Sequence, residues 1–206
     1  MELDARRFFP EEETLPAFRE AAAGCRGCPL WKLGTRTVFG EGPERARVLL
    51  VGEQPGHEED LSGRPFVGPA GRLLEGALEE AGLAREETWV TNVVKHFKWE
   101  PRGKRRLHRS PNAKEVGACL PWLEKEIELV KPDVLVPMGA TAAKALLGSA
   151  FRVSVERGHD VPSRWAAHTV ATVHPSSILR QATSEDRARE LARFTEDLRV
   201  VARLLR

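Results

Sequence analysis

The sequence predicts an α/β protein, a three-layer α/β/α domain built on a central, mostly parallel sheet of about four strands. Two observations predict it. Short apolar runs rich in β-branched residues alternate along the chain with stretches whose apolar residues recur at helical spacing, the pattern of parallel strands joined by crossover helices. Such a sheet is covered by helices on both faces. Polar residues then stand just beyond the ends of three of these runs: Glu53-Gln54, Asn92 and His174-Pro175-Ser176-Ser177. In a parallel sheet those ends share one edge, where open α/β sheets bind their ligands, and a single crevice accounts for all three.

The elements follow in order. Residues 1–15 are charged and are expected to be a loosely held, flexible arm. Pro16 to Gly24 reads as a short helix. Val48 to Val51 is the first strand. It is followed by a loop from Gly52 to Gly71 that carries five glycines and three prolines. A loop of that length is usually functional in a compact domain. Composition alone favours a turn-rich surface loop with a solvated acidic run, Glu58-Glu59-Asp60. A helix over roughly Ala70–Ala81 closes at Gly82, and Thr88 to Val94 forms a second strand. A polar, basic connection runs from Lys95 to Pro111. A long helix then begins near Asn112, with Val116, Leu120, Leu123, Ile127 and Val130 on its apolar face. Val134 to Met138 is the third strand, leading directly into a helix from Gly139. Thr169 to Val173 is the fourth, and a last amphipathic helix carries Leu191, Phe194, Leu198 and Val201.

At 206 residues the chain suits one domain, 1–206, with a sizeable core. The net charge of +2 is too small to imply a nucleic-acid binder, so such a surface must come from local clustering. No apolar run is long enough to span a membrane, and a cytoplasmic monomer is the expectation. The three cysteines, Cys25, Cys28 and Cys119, are few and odd in number, which argues against a disulfide framework. Cys25 and Cys28 form a C-x2-C pair of metal-binding or redox type that still needs a fourth ligand.

Four motifs occur together: Gly52-Glu-Gln-Pro-Gly56, Gly63-Arg-Pro-Phe-Val-Gly-Pro-Ala-Gly71, Thr91-Asn-Val-Val-Lys95 and His174-Pro-Ser-Ser177. In kind and order they resemble those of family-4-type uracil-DNA glycosylases, and the resemblance runs from about Cys25 to the last helix. Gln54, where that family usually has Ala, and the insertion Gly103-Lys-Arg-Arg-Leu-His108 resemble the UdgX-type branch, whose members form a covalent adduct with uracil-containing DNA. His57 departs from the acidic residue usual there. The resemblance implies that uracil in single- or double-stranded DNA is the partner. It also implies a 4Fe–4S cluster on Cys25, Cys28, Cys119 and His96, with zinc on the same ligands as the alternative.

The residues suit that chemistry. A stacked base must be extruded before its C1′ is reachable. Phe66 offers a ring to stack on, and the Asn92 amide matches uracil O4 and N3–H, whereas cytosine reverses that donor–acceptor pair. An ordinary core aromatic and a turn-forming Asn remain the plainer readings. His174 would donate to the uracil anion, and Glu53 would stabilise the sugar cation or orient a nucleophile. The resemblance places Gln54 beside these groups, at both the catalytic and the uracil-binding position. Lys104, Arg105, Arg106 and Arg109, with Ser176 and Ser177, are expected to meet DNA phosphates. His108, biased towards its neutral form by its cationic neighbours, would capture C1′ in place of water. Ordinary turnover with Glu53-activated water, or a non-catalytic uracil-DNA-binding module, are the competing functions.

Overall fold

Leu50 lies between Val90 and Val136 in a four-stranded, all-parallel sheet. The computed structural model describes residues 3–206. In chain order, α1 (Leu15–Ala23) precedes β1 (Val48–Gly52), and the loop after β1 contains α2 (His57–Ser62) before α3 (Pro69–Ala81). β2 (Thr88–Asn92) is followed by β3 (Trp99–Arg102) and β4 (Arg105–His108), then α4 (Ala113–Val130) and β5 (Val134–Pro137). The chain finishes with α5 (Ala140–Leu147), α6 (Val153–Glu156), β6 (His168–Thr169), α7 (Pro175–Leu179) and α8 (Ser184–Leu204). The sheet order is β2-β1-β5-β6.

Both faces of the sheet are buried, as its apolar runs require. Leu49 and Val51 point into a core shared with α1, α4 and α5, while Val48 and Leu50 point into one shared with α3 and α8. Each such Leu or Val contributes about 1.5–3 kcal/mol through burial. Local chemistry sets the helix ends. Thr14 caps α1 with Pro16 in its first turn, Asn112 and Glu115 form a reciprocal capping box on α4, and Gly82 closes α3 at φ 77°.

Several expectations are corrected. Part of the segment expected to be a loose arm over residues 1–15 is packed, while Leu3 and Glu11 to Glu13 stay exposed. A 3-10 turn spans Ala5–Phe8, Ala5 is buried, and the Phe9 ring meets Phe18 edge-on and Trp122 at a tilt; residues 1 and 2 lie outside the described residues. The basic connection after β2 is a two-stranded antiparallel hairpin, with Trp99 opposite His108 and Arg102 opposite Arg105. Its alternation is masked in sequence because cations occupy both faces. Of the acidic run only Glu58 is solvated, while Glu59 and Asp60 are buried. Asp60 is fully buried and accepts hydrogen bonds from the Thr35 backbone N–H (2.7 Å) and Arg106. The Glu59 carboxylate accepts the N–H of Gly68 at 2.9 Å, tying the glycine-rich loop back on itself. The fourth strand is shorter than expected, continuing past Thr169 only as isolated bridges, Val170 to Asp160 and Thr172 to Met138.

Candidate active site

The parallel sheet brings the carboxyl ends of β1, β2 and β5 to one edge, below a crevice of about 980 Å³ lined by Glu53, Phe66, Asn92, His108 and His174 among others. Its floor is Gly52. A methyl group there would stand 2.3 Å from Asn92 Oδ1, 2.8 Å from Phe66 Cζ and 3.2 Å from His174 Nε2. Three side chains from three segments therefore converge on a position that lacks a Cβ. The Phe66 backbone is left-handed at φ 55°, unusual for an aromatic residue and of a kind that clusters at ligand sites. Gly71 permits this turn, since a Cβ on it would fall 1.6 Å from the Phe66 carbonyl oxygen. The Phe66 ring stacks beside that of His174, with centroids 6.0 Å apart and planes 28° apart.

His174 caps α7 through its ring. Nδ1 accepts the Ser176 N–H at 3.2 Å and the Ser176 hydroxyl at 2.8 Å, so the ring proton stands on Nε2, which faces the floor. Burial, with smaller contributions from Arg180 and His108, pushes its pKa down to about 4. At neutral pH it is thus an uncharged N–H donor. Asn92 is held by its backbone: its carbonyl accepts the Lys95 ammonium at 2.8 Å, and Lys95 is fully buried against Glu126 and Thr91.

Across the crevice, His108 Nε2 is 3.5 Å from Glu53 Oε1, and the other Glu53 oxygen accepts the Thr141 hydroxyl. Burial depresses the His108 pKa; Glu53 opposes the shift and Arg180 adds to it. The neutral bias expected from the hairpin cations is present, but it comes from desolvation and from Arg180. Gln54 is turned towards the hairpin: its amide donates to the carbonyls of Lys98 (3.2 Å) and Arg109 (3.1 Å) and accepts the Lys98 N–H (3.1 Å). It clamps both strands at their base while lining the crevice.

The four cations expected to meet DNA divide. Lys104 and Arg105 project from the hairpin turn, exposed. Arg106 turns inward, donating to Asp60 at 2.6 Å, to Thr35 at 3.3 Å and to His57 Nδ1 at 2.9 Å, over the rings of Phe97 and Trp99. Arg109 pairs with Glu100. Ser176 and Ser177 bond to His174, the latter through its carbonyl at 2.7 Å.

The uracil DNA glycosylase superfamily model matches residues 39–199, a span that includes every one of these crevice residues. The chain belongs to the uracil-DNA glycosylase superfamily. Its similar proteins include a type-4 uracil-DNA glycosylase of Thermotoga maritima, 38% identical over 178 residues that make up 86% of this chain and 89% of the relative. A type-4 uracil-DNA glycosylase of Pyrobaculum aerophilum is 38% identical over 87% of this chain and 92% of its own length. One from Sulfurisphaera tokodaii is 34% identical over 90% of each.

In this superfamily member a sulfur-rich region lies behind the crevice. Cys25, Cys28 and Cys119 are all buried, and burial pushes the Cys119 thiol up to about 12. Cys25 Sγ accepts from Trp122 Nε1 (3.3 Å) and from the Gly27 N–H, and Cys119 Sγ accepts the Lys95 N–H at 3.2 Å. His96 is buried, neutral with a pKa of about 4, and bonded through Nε2 to Thr37 at 2.9 Å. Among the described residues, no three His, Cys, Asp or Glu side chains are gathered closely enough to hold a single metal ion. No helix among them is long and apolar enough to cross a membrane.

Sequence reasoning missed Asp60, Thr141, Arg180 and Lys95. A lysine ending a β-branched strand was the available signal for Lys95. Asp60 and Thr141 carry none, because their partners lie far off in the chain.

Proposed function

We propose that the protein excises uracil from DNA. The observation that carries this reading is the convergence of Asn92, Phe66 and His174 on the Cβ-less face of Gly52, which makes a slot for one planar base with a donor–acceptor amide at its end. The names of the type-4 relatives support it. An extruded uracil would stack on Phe66 and pair its O4 and N3–H with Asn92. As the N-glycosidic bond breaks, its electron pair leaves with the base. The neutral His174 Nε2–H donates to the resulting anion, while the Glu53 carboxylate stabilises the cationic sugar.

The finer reading, assignment to the UdgX-type branch, concerns what captures C1′. His108 and Glu53 face each other across the crevice, and a neutral imidazole held there competes with water through an effective molarity on the order of 10⁵ M or more. A bond from an imidazole nitrogen to C1′ would leave the protein attached to DNA after one turnover. Gln54 would serve by holding the hairpin that carries His108. The names of the relatives favour the other reading at least as well: an ordinary type-4 glycosylase, with water oriented by Glu53 and released abasic product. A fixed-time reaction with uracil-containing DNA, run on a denaturing gel, separates them. A denaturation-resistant adduct supports capture by His108, abasic product alone supports turnover, and neither product overturns excision.

For the cofactor, the donor set fits a 4Fe–4S cluster. Three soft thiols and N–H groups directed at two of the sulfurs suit such a centre. Thiols as buried as Cys119 become thiolates only beside compensating positive charge. Zinc on the same four ligands is the alternative, held through Zn–S bonds of about 2.3 Å. Cys25, Cys28 and Cys119, with His96 as fourth ligand, would hold the cluster. It would supply a covalent tie between the segment after α1, α4 and the approach to the hairpin.

A further inference from the structure

We propose that Thr141 is a positioning residue for excision, whose hydroxyl holds one oxygen of Glu53 so that the other stands free towards the sugar. The inference rests on the proposed excision of uracil. Glu53 follows the end of β1 and Thr141 lies in the first turn of α5, so the two meet because β1 and β5 are neighbours in the sheet. An ionised carboxylate only accepts, so the hydroxyl donates to Glu53 Oε2. A threonine within a helix can turn its hydroxyl back onto the carbonyl one turn earlier. Here that carbonyl, of Pro137, belongs to β5 and already accepts the Thr172 N–H at 3.0 Å. The hydroxyl is left for the crevice, which Thr141 lines, and branching at Cβ restricts the directions in which it can point.

The same turn braces groups on both sides of the scissile bond. Gly139 begins α5 at φ 89°, and its N–H donates to the Thr172 carbonyl at 2.8 Å. A Cβ on Gly139 would stand 3.0 Å from His174 Cβ, so the backbone of the turn rests against the histidine assigned to the leaving base. Further along the turn, Thr141 takes up Glu53 Oε2, while Glu53 Oε1 is 3.5 Å from His108 Nε2. The two oxygens thus have different partners and different work. The first turn of α5 carries no side-chain cap, and a helix N-terminus favours a negative group beside it. Without the hydroxyl, the carboxylate would be free to rotate and to offer either oxygen to His108. A stabilising group that must first be oriented loses the advantage of preorganisation.

The test measures single-turnover uracil release, counted as abasic product plus adduct, in Thr141→Val, Thr141→Ser and Thr141→Ala. Affinity is measured in parallel on DNA carrying 2′-fluoro-deoxyuridine, whose fluorine disfavours the sugar cation and so resists cleavage. Thr141→Val keeps the shape and removes the donor, so release should slow on the order of tenfold to hundredfold, with affinity changed less than about twofold. Thr141→Ser keeps the donor and should stay within about threefold of wild type. Thr141→Ala also lacks the donor and should repeat the valine loss; it serves if the valine variant does not fold, since alanine suits a helix best. A loss shared equally by Thr141→Ser would mean that packing and not the hydroxyl matters, and would overturn the proposal. Weaker binding at an unchanged rate would overturn it too, as would full activity without the donor. Wild-type protein that releases no uracil would overturn the excision reading itself, a failure distinguishable because it precedes any comparison of variants.

Discussion

The Arg106 guanidinium lies 2.6 Å from a carboxylate oxygen of Asp60, a fully buried residue 46 positions earlier in the chain. This pair latches the hairpin carrying His108 onto the loop that carries Phe66. A cation expected to face DNA is instead holding two walls of the crevice together.

Arg106→Ala should therefore act on the hairpin before it acts on affinity. It leaves Asp60 buried without its partner, at a cost of about 2 kcal/mol, below the range for fully buried pairs because Arg106 is partly exposed. Chemical denaturation should show that loss. Capture by His108 should fall further than DNA binding measured by anisotropy. A variant of wild-type stability with weakened binding alone would show that Arg106 contacts phosphate.

Gly52→Ala places a methyl group 2.3 Å from Asn92 Oδ1 and 2.8 Å from Phe66 Cζ. The displaced groups line an open crevice, so melting should change little. Excision should fall on the order of 10²-fold, the consequence of displacing catalytic groups by about an ångström. Full activity in this variant would place the base elsewhere.

The pH dependence follows from His174. Its folded pKa is about 4, against an ordinary value of 6.5, because burial disfavours the charged ring. Below 6.5 the unfolded chain takes up a proton that the folded chain refuses until about 4. Stability should therefore decline as pH falls through that window and be flat above it on this account. Denaturation at pH 7 and pH 5 should show the difference, and His174→Asn should reduce it. Excision should keep its His174 donor down to about pH 5.

His108→Ser should abolish any denaturation-resistant adduct while leaving uracil release measurable, because bond cleavage and cation capture are separate steps. Loss of both would assign His108 to cleavage as well. An adduct that survived the substitution would remove His108 from capture.

Protein purified anaerobically should carry iron near four per chain if the cluster is present, and Cys119→Ala should lower stability without changing the preference for uracil over cytosine. Stoichiometric zinc without iron, measured by metal analysis, would replace the cluster.

The sequence by itself determined the layers and the edge of the sheet on which the site lies. Strand and helix periodicities are local, and so are the caps at Thr14, Asn112 and Gly82, which is why the parallel sheet was legible. The places of Glu53, Asn92 and His174 followed from it, since residues after parallel strands must share an edge. Only tertiary structure decided which charges meet. Arg106 turned to Asp60, Arg109 to Glu100 and Lys95 to Glu126, and Glu59 and Asp60 of the acidic run became buried anchors. The hairpin was hidden for the same reason, because its inner face is made by a pairing with α2 that no local pattern records. The neutral state of His108 likewise depends on burial and on Arg180, which the fold brings in from α7. Local pattern encodes which way a side chain faces. The partner it finds depends on segments that become neighbours only once the chain has closed.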